Sequence, residues 1–249
     1  MAKRTATNKL RYAFIGAGGI AGAHMGYLKD MDDVAMVAIS KPGMEAKAEQ
    51  YGIDGIYTDF RKMLAEVKPD AVSICTPNGA HAEGSIAASN AGAHVLVEKP
   101  MAMSAAEALK MISAAKKKRR KLVIGFQYRY DAKTSFIKEA VDAGRMGKVV
   151  YGRIQALRRR GIPNWGVFGR KDLQGGGPLI DIGVHALEMT HFAMGSPKPV
   201  SASGSIFTYL ADRKSNVVSQ WPNWDHNNYT VEDLAIGQIR FDNGAILSI

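Results

Sequence analysis

Phe14-Ile15-Gly16-Ala17-Gly18-Gly19-Ile20-Ala21 reads as a strand that ends in a glycine turn and opens a helix. Gly16, Gly18 and Ala21 fall on the three positions of a dinucleotide-binding fingerprint, whose last member is Gly or Ala. Gly16 permits the tight turn. Gly18, followed by Gly19 and Ile20, lets backbone approach a pyrophosphate, whose charge then meets the N-terminus of the following helix. Glycine turns are common, so the motif takes its weight from the strand before it and the helix after it.

Outward from this stretch, apolar runs of strand length alternate with helical stretches as far as Ile124, which predicts a parallel sheet. Strands are expected at 12–15, 34–39, 71–75, 94–97 and 122–124. Their interiors are apolar without alternation, as in strands covered on both faces. Helices are expected at 20–29, 44–51, 59–66, 79–91 and 104–118, the last opened by a capping box of Ser104 and Glu107. Beyond about Tyr130 the rhythm changes. A helix over 131–143 precedes a long, partly alternating strand over 149–160, a loop rich in Gly and Trp, a helix over 181–194 and further strands. Asn243-Gly244 between two apolar runs is a hairpin signal. The chain divides into a dinucleotide-binding domain (1–128) and an α+β domain with a largely antiparallel open sheet (129–249). It stops at Ile249 inside a strand-like run, so part of the second domain is expected to be missing.

The chain of 249 residues is 46% hydrophobic and 22% charged, ordinary values for a globular protein. Its one cysteine, Cys75, excludes an internal disulfide and fits a reducing compartment. Met1-Ala2-Lys3-Arg4-Thr5-Ala6-Thr7 has no apolar signal region, and no stretch is long and apolar enough for a membrane span, so a cytoplasmic protein is expected. The net charge of +10 is concentrated in Lys116-Lys117-Lys118-Arg119-Arg120-Lys121 and Arg158-Arg159-Arg160. A nucleic-acid surface would add interleaved aromatics or a reader motif, and neither is present. The first run reads as a solvated helix end; attraction of an anionic cofactor or substrate is the functional reading.

Ile39-Ser40-Lys41 closes the second expected strand without the carboxylate that binds an NAD ribose. A hydroxyl and an ammonium suit a 2′-phosphate, so the reading leans to NADP over NAD. Val97-Glu98-Lys99-Pro100 fixes a lysine at the end of an apolar strand, with proline holding it extended. Asp181-Ile182-Gly183-Val184-His185 places a carboxylate and an imidazole at i, i+4 spacing on one helix face. Asp181 also stands where an N-cap belongs. No third ligand accompanies the pair, so no metal is expected. Trp165, Trp221, Trp224 and Tyr128, with His226 and Asn227, would serve either as a sugar platform or as packing. Gly175-Gly176-Gly177-Pro178 is read as allowing backbone to approach ligand or cofactor closely.

Gly16–Ala21, Thr76-Pro77-Asn78, Glu98-Lys99-Pro100 and Asp181–His185 together resemble the glucose-fructose oxidoreductase / inositol dehydrogenase / MocA family over essentially the whole chain. The resemblance implies a Rossmann doubly wound parallel sheet followed by an α+β domain whose open sheet mediates homodimers or homotetramers. It also implies hydride transfer between NAD(P) and a sugar or polyol. Lys99, Asp181 and His185 match the family's catalytic and substrate-binding positions. Thr76, Pro77 and Asn78 match the segment beside the nicotinamide ribose, with His81 and Glu98 near it. Arg129, in Gln127-Tyr128-Arg129-Tyr130, resembles an arginine near the cofactor or substrate pocket. Tyr128 and Trp165 are the further substrate-binding candidates. Ser40-Lys41 departs from the commoner acidic pattern. Two alternatives stay open: a glycosidase that oxidises its sugar transiently, and a nucleotide-binding sensor without catalysis.

Overall fold

The computed structural model describes residues 9–158, 161–216, 218, 221 and 223–249. Met1–Asn8, which holds the N-terminal stretch read above, and Arg159 and Arg160 of the basic run at 158–160 lie outside the described residues. The backbone clusters into two compact units, Met1–Gly125 and Phe126–Ile249.

In the first unit, β1 (Leu10–Ile15), α1 (Gly19–Leu28), β2 (Val34–Ser40), α2 (Glu45–Gln50), β3 (Gly55–Tyr57), α3 (Phe60–Val67) and β4 (Ala71–Ile74) are followed by α4 (His81–Asn90), β5 (His94–Val97), α5 (Ala105–Lys117) and β6 (Leu122–Ile124). All pairings are parallel, and the six strands run β3-β2-β1-β4-β5-β6. The order reverses between β1 and β4, the crevice in which doubly wound sheets bind ligands at their carboxyl ends.

The unalternating strands have a simple cause. Ala13 and Ile15 of β1 join Val72, Ile74, Val95 and Met111 in the core on one face of the sheet. Tyr12 and Phe14 join Ala21, Met25, Ile39 and Cys75 in the core on the other. Both faces are covered, so most strand positions are apolar, with Ser40 and Ser73 as buried polar exceptions. β3, not expected from the sequence, is three residues at the sheet edge, too short for periodicity to mark. Ser104 Oγ caps α5 by accepting from Glu107 N–H, while Glu107 reaches back to Met103 N–H, one residue before the cap.

The second unit holds α6 (Ala132–Asp142), β7 (Tyr151–Arg153), α7 (Lys171–Gln174), α8 (Val184–Ala193), β8 (Pro199–Phe207), β9 (Leu234–Phe241) and β10 (Ile246–Ser248). Its four strands run β7-β10-β9-β8, with β9 antiparallel to both neighbours and β7 parallel to β10. The expected hairpin forms at Asn243-Gly244. Within the strand expected over 149–160, the described residues pair only at Tyr151–Arg153, against Ile246–Ser248 of β10. The helix expected from 181 opens instead with a π-helical turn, Leu179–Gly183. Asp181 is inside that turn, its N–H donating to Gly177 O at 3.0 Å, and so is not an N-cap.

Candidate active site

The glycine turn sits between β1 and α1 at the carboxyl end of the sheet. Gly16 has φ +83°, and a Cβ there would lie 2.6 Å from Cys75 O, so glycine is required twice over. Beside Gly18 and Gly19 there is open space, and Gly18 begins α1 with no side chain capping the helix. Uncapped N–H groups at a turn whose glycines carry no side chains fit a pyrophosphate. Lys47 of α2 closes the turn from outside, its Nζ donating to Ala17 O and Gly18 O at 3.0 Å each. Ser40 is buried, with its carbonyl accepting from Gly16 N–H at 3.1 Å, while Lys41 is exposed.

The ends of β4 and β5 carry the next group. Thr76 Oγ1 is buried and has no hydrogen-bond partner among the described residues, which fits a hydroxyl that bonds a ligand. Pro77 is exposed and Asn78 half-buried, starting a short turn into α4. His81 is 1% exposed, its Nδ1 2.7 Å from Pro100 O and its Nε2 3.0 Å from Thr76 O. Both ring nitrogens face backbone, so His81 ties the Thr76 segment to the Lys99-Pro100 segment from beneath. Burial pushes its imidazolium form down, against the pull of the two carbonyls. Glu98 is buried beside half-buried Lys99, whose N–H donates to Glu98 Oε2 at 3.3 Å. Burial, with the Glu98 charge behind it, pushes the Cys75 thiol up to about 12, which makes it inert as a nucleophile.

In the second unit, Asp181 and His185 are half-buried on consecutive turns. The Tyr128 ring meets the His185 ring edge-on at 5.2 Å, and Phe126 does so at 6.4 Å, which fixes the imidazole plane. Asp181 lines a cleft of about 910 Å³ with Phe168, Trp224, Tyr229 and Asp233. Tyr229 is pushed up to about 12 by burial and then by the Asp233 charge. Trp165 packs edge-on against Trp221 at 4.6 Å and Phe168 at 5.7 Å, a cluster that touches the cleft through Phe168. Trp224 Nε1 donates to Ala211 O. Arg129 is ion-paired with Glu188 of α8 and stacks over Phe192 at 4.8 Å, so within this unit it braces the helix carrying His185. In the glycine run before Asp181, Gly177 packs on the neighbouring backbone: a Cβ there would lie 2.0 Å from Glu232 O. Among the described residues no group of three or more metal-ligating side chains occurs.

Residues 10–126 match the oxidoreductase family described as an NAD-binding Rossmann fold, and residues 135–249 match the GFO/IDH/MocA C-terminal domain. The chain belongs to the GFO/IDH/MocA family. Among its relatives, the D-glucoside 3-dehydrogenase of Escherichia coli is 40% identical over 97% of this chain and 69% of its own length. The myo-inositol 2-dehydrogenase of Thermotoga maritima is 30% identical over 95% of this chain and 66% of its own. Among solved structures, an aldose-aldose oxidoreductase from Caulobacter crescentus, complexed with glycerol, superposes with a TM-score of 0.77 at 28% identity. That match covers 96% of this chain and 70% of the other.

For a GFO/IDH/MocA chain, the sequence left several supporting residues unmarked. Lys47 gives no local signal, because a lysine in a short polar helix is ordinary. His24, Ser73 and Glu188 were findable as polar residues in apolar elements: His24 in the Ala/Gly/Met-rich α1, Ser73 in β4, Glu188 one turn beyond His185. No helix among the described residues is long and apolar enough to cross a membrane.

Proposed function

We propose that the protein is an NAD(P)-dependent dehydrogenase acting on a secondary hydroxyl of a sugar, polyol or glycoside. The observation that carries this reading is the uncapped glycine cradle at the sheet's switch point, with Thr76, Glu98 and Lys99 on the neighbouring strand ends. The names of the relatives, dehydrogenases of a glucoside and of an inositol, support the substrate class.

A nicotinamide bound there supplies the hydride acceptor or donor. Residues 16, 18, 19 and 20 hold the pyrophosphate by backbone, and Thr76, Pro77 and Asn78 border the ribose. Lys99 stabilises the charge that grows on the reacting oxygen. His185 removes the hydroxyl proton, and Asp181 binds the substrate or orients that exchange. Tyr128 holds the imidazole plane. Exposed Lys41, with no carboxylate ending β2, supports NADP as the preferred cofactor. Exposed Val200, Ile206 and Phe207 on β8 support a homo-oligomer built on the open sheet.

Initial rates with a panel of sugars, inositols and glycosides, measured against both cofactors, test the reading. Reduction of either cofactor, faster with NADP, is expected. Release of a chromogenic aglycone with no net cofactor reduction would instead favour the glycosidase. Cofactor binding with no turnover of any member of the panel would leave only a nucleotide sensor, and unchanged turnover in both Lys99→Ala and His185→Ala would remove these two residues from the reaction.

A further inference from the structure

A chain of hydrogen bonds runs through the first unit behind Glu98. His24 Nε2 lies 3.0 Å from Glu98 Oε1, and His24 Nδ1 lies 2.9 Å from Ser73 Oγ. Tyr12 OH lies 2.9 Å from the same Ser73 Oγ. Tyr12 is 8% exposed, Ser73 0% and Glu98 8%, so the groups are withdrawn from water. Four elements contribute: β1, α1, β4 and the end of β5. A neutral imidazole closes the chain in one direction, with Tyr12 donating to Ser73, Ser73 to His24, and His24 to the carboxylate. An imidazolium would donate to Ser73 instead and still leave the Glu98 bond in place. In either form Glu98 Oε1 is held by α1, and Glu98 Oε2 is left to accept the Lys99 N–H.

The opposite side of the carboxylate is walled as tightly. A Cβ on Gly125 would lie 2.8 Å from Glu98 Oε1 and 3.2 Å from its carboxyl carbon. Glycine at 125 leaves the room that this orientation of Glu98 needs. Buried side-chain networks of this kind rigidify what they hold.

We propose that His24 is a positioning residue: through Glu98 it fixes the backbone, and with it the side-chain direction, of Lys99. The proposal rests on the dehydrogenase reading for the role of Lys99 and on geometry for the rest. The test is a double-mutant cycle on the intact protein, with His24→Ala made alone and in a Glu98→Gln background. His24→Ala alone should lower kcat by about 10–100-fold, as small misplacements of a reacting group do, while KM for substrate changes far less. In the Glu98→Gln background the same change should cost no more than about twofold, because its route of action is gone. His24→Gln, which keeps an N–H donor, should recover part of the loss. Gly125→Ala should reproduce it with His24 intact, since it displaces only the carboxylate. Equal losses from His24→Ala in both backgrounds, or full activity in His24→Ala, would overturn the proposal. Should the unsubstituted protein turn over no sugar or polyol, the dehydrogenase reading falls by itself. The positional claim is then decided by the Lys99 amide proton resonance, which moves in His24→Ala if the claim holds and stays put if it does not.

Discussion

The two units solve opposite packing problems. In the first, a six-stranded parallel sheet is covered on both faces, and two apolar cores absorb strands and helices alike. In the second, a four-stranded mixed sheet leaves every residue of β8 exposed, and its buried core is the small cluster of Met194, Phe241, Ala245 and Leu247. The difference teaches where function and stability are coupled. The first unit builds its candidate site from strand ends and turns held by a closed core. The second presents its polar residues on one helix, braced by Arg129, Glu188 and the aromatic edges around His185.

The sharpest way to break this contrast is to remove one candidate group from each unit. Lys99→Ala and His185→Ala should each lower kcat/KM by about 10²–10⁴-fold, the usual worth of a proton-transferring or charge-stabilising side chain. Cofactor affinity, measured by NAD(P)H fluorescence, should change far less in His185→Ala. An equal loss of cofactor binding from both would mean that the division of labour between units is wrong.

Glycine replacements come next. Gly16→Ala forces a left-handed side chain into the Cys75 carbonyl, and Gly177→Ala drives one into the Glu232 carbonyl. Left-handed strain with overpacking at Gly16, and overpacking alone at Gly177, should each cost about 2–4 kcal/mol, read as a lower urea midpoint. Gly16→Ala should also abolish cofactor binding, whereas Gly177→Ala should retain it. A Gly16→Ala protein that still binds NAD(P)H with full affinity would refute the cradle.

Ion pairs sharpen the comparison on a smaller scale. Arg129→Ala strands Glu188, whose side chain is 11% exposed, and should cost about 1 kcal/mol after discounting the half-exposed arginine. Arg61→Ala breaks an exposed pair with Glu83 in the first unit and should cost less than about 0.5 kcal/mol. Thermal unfolding of the two variants orders them.

The last prediction concerns pH. Burial depresses the folded-state pKa of His81, so between that value and the unfolded value near 6.5 the unfolded chain binds the extra proton. The stability His81 contributes is therefore present above about pH 6.5 and lost as pH falls below it. Hydrogen-exchange protection in the first unit should weaken on acidification, and His81→Gln should flatten that dependence. A pH-independent wild type would show that the two carbonyls cancel burial, and protection that strengthens on acidification that they outweigh it.

Much of this was legible locally. The glycine turn announced its strand and helix, the apolar runs announced a sheet covered on both sides, and Asn243-Gly244 announced its hairpin. These signals are contained within a few residues, because a turn's φ values and a strand's double burial act on the residues themselves. The missed features are relational. β3 is a strand only because β2 lies beside it, and the stretch after Val149 is a strand where Tyr151–Arg153 meet β10. Asp181 lies in a π-turn, its N–H bonded to Gly177 O, rather than capping a helix.

By itself, the sequence determined the doubly wound first unit, the place of its glycine turn and the residue types that chemistry at the candidate site needs. Tertiary structure alone decided which polar residues stand behind them: His24 and Ser73 on Glu98, His81 under two loops, Lys47 on the glycine turn. The reason is physical. Backbone preference and hydrophobic period are properties of neighbours in the chain, whereas a buried hydrogen bond is made between residues 49 or 74 positions apart, such as His24 with Ser73 and with Glu98, and exists only once the core has brought them together.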